Sequence, residues 1–223
     1  AQETEELIDA CRRRIFSAKD VWSMANTFDP VFLGDYSPEF YRLHGHTAKQ
    51  YIRSGDLELI AQPTDYCCQN HYNGFMLEKA DGCIREAKRE PGYPRMATGW
   101  PIDEKGLYWT MRFLYERYGK PVMITENGMS GFDIVSADGG VHDPQRIEYY
   151  RRYLGEVERI LRDGIDLRAY FAWSLLDNFE WASGYSQRFG LVYVDFGTGK
   201  RIPKDSYTWF ADYIEKKKRG RVK

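Results

Sequence analysis

The sequence predicts an α/β protein built around a parallel sheet, and three observations carry that expectation. Three apolar runs, "TDYCCQNHY" (64–72), "VMITENG" (122–128) and "LRAYFAWSLL" (167–176), are each backed by a helix-like segment. Strands that alternate with helices of this size form βαβ units. The runs are nearly continuous in apolar residues, as strands covered on both faces are. Polar residues gather where each run ends: Asn70 and Tyr72, Glu126 and Asn127, Ser174 and Asp177. That carboxyl edge is where α/β proteins bind their ligands.

The elements follow in order. Residues 3–16 place Leu7, Ile8, Cys11 and Ile15 on one helical face. In the first strand Cys67 and Cys68 are adjacent and should point to opposite sides. A helix over 103–118 follows, with Leu107, Met111, Leu114 and Tyr118 as its apolar stripe and Gly119 as its stop. After the second strand, Asp143 reads as an N-cap and Pro144 as the first helical residue. Ile147, Tyr150, Leu154, Val157 and Leu161 form that helix's stripe, and Gly164 ends it. A last helix from about 205 carries Tyr207, Phe210, Ala211 and Ile214. The basic tail "EKKKRGRVK" (215–223) reads as a solvated, frayed terminus rather than a nucleic-acid patch. No repeat or Ser/Gly linker interrupts the chain, so residues 1–223 are expected to form a single domain.

Composition narrows the class. With 43% hydrophobic and 29% charged residues, the 223-residue chain should be globular rather than disordered. A formal net charge of -1 argues against nucleic acid or an anionic membrane as partner. The four cysteines, Cys11, Cys67, Cys68 and Cys83, lack metal spacing and read as thiols of a reducing compartment. No signal peptide or membrane span is visible, so the expected location is cytoplasmic. The chain begins at Ala1 without Met, as a processed start or a fragment end would. His44 and His46 form an isolated pair, so neither a metal nor another cofactor is expected. "GMSG" (128–131) lacks the spacing of a nucleophilic serine motif.

Glu126 is the residue that needs explaining, because a carboxylate at the end of a buried strand is rare unless paired or functional. It fits either a structural ion pair or a nucleophile or general acid/base in a cleft. The window "WSLLDNFEWASGYSQRFG" (173–190) favours the cleft. It interleaves Trp173, Phe179, Trp181, Tyr185 and Phe189 with Asp177, Asn178, Glu180 and Arg188. Rings stack on the apolar face of a sugar while carboxylates accept its hydroxyl protons.

"ITENG" together with "AWSLLDNFEWASGYSQRFGLVYVDF" closely resembles glycoside hydrolase family 1, the β-glucosidase family of retaining enzymes on a (β/α)8 barrel. "FDPVFLGDY" (28–36), "GDLELIAQPTDYCCQNHYNG" (55–74), "GWPIDEKGLY" (99–108) and "RIPKDSYTWF" (201–210) extend the likeness in the family's order. The resemblance implies that Glu126 is the nucleophile and that Tyr72 hydrogen-bonds it. It implies sugar binding by Asn70, Trp173, Glu180, Trp181 and Phe189, with Trp173 as the aromatic platform. An anion at Glu180 would repel a phosphorylated sugar, so the implied substrate is an unphosphorylated β-glucoside or β-galactoside. His71 stands where the family has a tyrosine, and it reads as a neutral wall residue.

Only strands resembling the sixth, seventh and eighth of the barrel are present, the C-terminal portion of the family's fold. The T-x-N-E-P motif, whose glutamate is the family's acid/base, is absent from the sequence. The chain is therefore expected to be a partial (β/α)8 barrel, completed by an N-terminal fragment or by self-association. The alternative is a catalytically incomplete carbohydrate-binding module derived from a glycosidase.

Overall fold

The computed structural model describes residues 3–20 and 22–221. Four helices come first: α1 (Glu5–Ile15), α2 (Met24–Phe32), α3 (Pro38–Ala48) and the short α4 (Asp56–Ile60). They lead into β1 (Cys67–Asn70) and a hairpin of β2 (Leu77–Ala80) and β3 (Cys83–Glu86). Then come α5 (Glu104–Tyr118), β4 (Val122–Asn127), α6 (Pro144–Arg162) and β5 (Leu167–Ala172). A second hairpin, β6 (Val192–Val194) with β7 (Arg201–Pro203), precedes α7 (Asp205–Arg221). The main sheet has the order β1-β4-β5, and β4 and β5 run parallel. All three expected strands are present, each shorter than its apolar run. Coverage differs from expectation: Val122 and Ile124 of β4 are buried, but Cys68 and Asn70 of β1 and Phe171 of β5 are exposed. The outer strands border the sheet, so their apolar runs outlast the neighbours that would cover them.

The chain divides into two compact units. The first comprises the chain up to Cys67 together with residues 75–89 and 113–121. Its centre is an aromatic cluster, with Tyr118 packed on Phe28 and Phe32 at 5.9 and 5.0 Å and edge-on to Phe16. Asp29 is buried in this unit and accepts from Arg117 Nε and Nη2 at 2.8 and 2.7 Å and from the Tyr118 hydroxyl at 2.7 Å. A buried carboxylate is tolerated only when paired in this way. Asp29→Asn removes the charge and one forked contact, and it is expected to cost about 2 kcal/mol. A urea titration of the two chains measures that difference. α2 and α3 begin at serine caps, Ser23 accepting from Ala25 N–H and Ser37 from Phe40 N–H.

The second unit holds residues 68–74, 90–112 and 122–223. Its core helix α6 buries Arg146, Tyr149, Tyr150, Tyr153, Leu154, Val157 and Ile160. Tyr150, Leu154 and Val157 of the expected stripe are buried, whereas Ile147 is half-buried and Leu161 46% exposed, and the buried face extends to the Arg146, Tyr149, Tyr153 and Ile160 side. Charge explains why Arg146 is part of that face. Arg146 is drawn inward by two acids, pairing with Asp133 at 2.7 Å and with Asp143. Lys204 bridges Asp133 and Asp177 at 2.6 and 2.8 Å, and Arg188 meets Asp177 at 2.6 Å. Burial, and then the charge of Arg146, lower the Lys204 pKa, against which Asp133 and Asp177 stabilise the cation. Asp143 occupies the N-cap position, but its carboxylate serves Arg146 and the N–H and hydroxyl of Ser206 instead of the helix start.

α7 continues to Arg221, so the tail is helical where fraying was expected; residues 222 and 223 lie outside the described residues. Its Tyr207 and Ile214 are exposed, and Phe210 packs on Tyr150 at 5.2 Å. Gly119 and Gly164 follow their helices with φ of 62° and 77°. Among the described residues the four cysteines form no disulfide, and no helix is long and apolar enough to cross a membrane.

His142 fastens the segment before α6 to the start of α7. Its Nδ1 lies 2.7 Å from Asp205 and its Nε2 3.0 Å from Asp138. The bond to Asp205, then that to Asp138, raises its pKa above 6.5. A folded-state pKa raised above the unfolded one stabilises fully below the unfolded value and is lost as pH rises through the folded value. The melting temperature of His142→Asn is therefore expected to fall below that of the parent near pH 5.5 and to match it near pH 9.

Candidate active site

Every candidate site residue lies in the second unit. The site is built at the end of β4, where the register against β5 is interrupted between Ile124 and Asn127. An irregularity of this kind re-aims side chains at a strand end. Ile124 and Asn127 are both buried, while the intervening Glu126 is half-buried and reaches Tyr72. The Tyr72 hydroxyl donates to Glu126 Oε2 at 2.6 Å. Burial, and then this bond, push the Tyr72 pKa well above its ordinary range, so the phenol stays a donor. Among the described residues no cation pairs with Glu126.

Glu180 forms a second carboxylate beside the first. Burial and the negative charge of Glu126 raise its pKa, and a hydrogen bond from the Trp173 indole opposes them. Trp173 is placed by its backbone N–H, which donates to the Asn127 carbonyl at 2.8 Å. The close approach of β4 to this residue requires glycine at 128: a Cβ there would lie 1.7 Å from the Trp173 carbonyl oxygen. Phe189 is buried, with its ring edge-on to Tyr72 at 5.9 Å. Asn70 sits apart from the carboxylates in its hydrogen bonding, accepting from the Thr125 hydroxyl at 2.7 Å. Trp181 is 82% exposed, in a short turn over Trp181–Ser183. Tyr72, Glu126, Trp173, Glu180 and Phe189 are thus joined by contacts, whereas among the described residues no hydrogen bond or ring contact joins the side chain of Asn70 or Trp181 to them.

One residue escaped the sequence reading. Trp100 stacks obliquely on Tyr72 at 5.5 Å and remains 39% exposed, so it extends the aromatic wall. Its signal lay in the "GWPIDEKGLY" stretch, which carried family likeness but no assigned role. His71 is buried, and burial lowers its pKa to about 4, so it is neutral over the ordinary pH range. It contributes main-chain groups, its N–H donating to the Glu126 carbonyl at 2.8 Å. Among the described residues no group of three or more His, Cys, Asp or Glu side chains could hold a metal ion.

A carboxylate with one hydrogen-bonded oxygen, a second carboxylate and adjoining aromatic side chains can accept hydroxyl protons and stack on an apolar face. The chain belongs to glycosyl hydrolase family 1, whose family model matches residues 3–219. It is 40% identical over 192 residues to β-glucosidase A of Thermotoga maritima, spanning 84% of this chain and 42% of that enzyme. It is 41% identical over 206 residues to a bifunctional β-D-glucosidase/β-D-fucosidase of Bifidobacterium breve, spanning 83% of this chain and 45% of that protein. The solved structure of the Thermotoga maritima β-glucosidase in complex with deoxynojirimycin superposes with a TM-score of 0.77 at 36% identity. That match covers 92% of this chain and 46% of the solved one. The chain therefore spans less than half the length of these relatives, and its fold is part of a (β/α)8 barrel.

Proposed function

We propose that this chain carries the nucleophile and sugar subsite of a retaining β-glycosidase acting on unphosphorylated β-glucosides or β-galactosides. The observation that supports it best is the 2.6 Å hydrogen bond between Tyr72 and Glu126, in a carboxylate pair with no cation among its described neighbours. In this reading the free oxygen of Glu126 attacks the anomeric carbon. The bond to the leaving group breaks, the leaving group takes the electron pair, and a glycosyl ester forms. Water then cleaves the ester and restores the anomeric configuration. Tyr72 holds one carboxylate oxygen so that the other faces the ring. Glu180 accepts hydrogen bonds from sugar hydroxyls, with Asn70 and Trp181 as further donors. Trp173 supplies the platform, and Phe189 closes the pocket behind Tyr72.

Retaining hydrolysis needs a second carboxyl group about 5–5.5 Å from the nucleophile to protonate the leaving group. Glu180 is committed to Trp173 in this reading, so the proton donor comes from an N-terminal segment of the barrel or from a second copy. General acid catalysis is worth about 10²–10⁴-fold, and substrates with good leaving groups do not need it. Exposure to 2-deoxy-2-fluoro-β-glucosyl fluoride followed by intact-mass measurement is the direct test. Addition of one fluoroglucosyl group at Glu126 supports the proposal. Sugar binding without any adduct would favour a carbohydrate-binding module instead.

A further inference from the structure

We infer that Asn127 is a positioning residue: its carboxamide fixes the register that holds the Glu126 carboxylate against the Tyr72 hydroxyl. The inference rests on the reading of Glu126 as nucleophile. Asn127 is fully buried, and its side chain is turned away from the proposed sugar site. Both amide hydrogens are used, one donated to the His71 carbonyl at 2.6 Å and one to the Tyr149 hydroxyl at 2.9 Å. Its Oδ1 accepts from the Tyr170 hydroxyl at 2.7 Å. The His71 carbonyl can only accept, which determines which end of the amide faces it. One side chain therefore ties together α6, β5 and the segment after β1.

The pattern closes on the reacting group. His71 N–H donates to the Glu126 carbonyl, Asn127 Nδ2 donates to the His71 carbonyl, and Tyr72 donates to the Glu126 carboxylate. Residues 71–72 and 126–127 are thus joined by three hydrogen bonds in a closed ring, of which the Asn127 amide is one link. The Asn127 carbonyl also receives the Trp173 N–H, so the same residue sets the proposed sugar platform. Aspartate would lose both donors and bury a charge, and serine is too short to reach all three partners.

The test uses the full chain with tyrosines carbon-13-labelled at Cζ, the Tyr72 resonance being assigned by its loss in Tyr72→Phe. Glu126→Gln should displace that resonance in the parent chain, because it removes the charged acceptor. In the Asn127→Ser background the displacement should shrink by more than half, since Tyr72 and position 126 are no longer held together. Adduct formation with 2-deoxy-2-fluoro-β-glucosyl fluoride should slow by at least about tenfold in Asn127→Ser and by about threefold in Tyr170→Phe. Parent-like displacement and labelling in Asn127→Ser would overturn the inference. Should that variant fail to fold, Tyr170→Phe, which removes one hydroxyl, decides the matter by the same two readouts. A parent chain that resists labelling would overturn the nucleophile reading alone, and the Tyr72 resonance would still decide the role of Asn127.

Discussion

Glu126→Gln is expected to lose covalent labelling by at least about 10⁴-fold, in line with the loss of a nucleophile in other hydrolases. The amide keeps the shape of the carboxylate, and its oxygen still accepts from Tyr72, so the fold should be preserved to within about 1 kcal/mol. That combination separates chemistry from folding. Two observations make the effect large: the carboxylate has Tyr72 as its side-chain hydrogen-bond partner, and no described cation would have to be left unpaired by the change. Intact-mass kinetics on both chains, with thermal melts alongside, measure both halves of the expectation. Labelling of the variant at the parent's rate would move the nucleophile elsewhere.

Gly128→Ala is expected to destabilise the chain by about 3–5 kcal/mol, the range reached when a core site is overpacked with no room to relax. A Cβ at 128 would lie 1.7 Å from the Trp173 carbonyl oxygen and 3.2 Å from the Tyr150 hydroxyl. The nearer obstacle is backbone, and the same residue is anchored by the bond from Trp173 N–H to the Asn127 carbonyl. Gly155 provides the control, because it is an exposed position of α6 with open space around its Cβ position. There alanine should add up to about 1 kcal/mol, through helix propensity alone. Denaturation midpoints of the three chains read out the contrast.

The parallel sheet and α5 were legible because their apolar periods are long and unbroken. α6 was legible as a helix, and Tyr150, Leu154 and Val157 of its expected face are buried; Arg146 was missed because it reads as a surface residue until the carboxylates of Asp133 and Asp143 are seen beside it. α2, α3 and α4, of 9, 11 and 5 residues, were not read from the sequence; serine caps seen only in the structure open the first two. The β2–β3 hairpin was not read from the sequence either. Asp81 and Gly82 take φ of 52° and 74° at its turn, the Asp-Gly pair that such turns favour. In the candidate site, Glu126, Tyr72 and Glu180 followed from residue type and motif. Asn127 did not, because its role is carried by partners 56, 22 and 43 residues away, and no local pattern encodes those meetings.

The buried cluster of Asp133, Arg146, Asp177, Arg188 and Lys204 has a consequence for the order of assembly during synthesis. Lys204 meets Asp133 across 71 residues and Asp177 across 27. Until the ribosome has released Lys204, both acids lack the ammonium that neutralises them, and the aromatic stretch between β5 and β6 has no anchor at its far end. Contacts of such sequence separation form late, because loop closure must precede them. The stretch between β5 and β6 is thus among the last parts to set. A nascent chain stalled before that lysine would leave Asp133 with Arg146 and Asp177 with Arg188, each without the ammonium that bridges them.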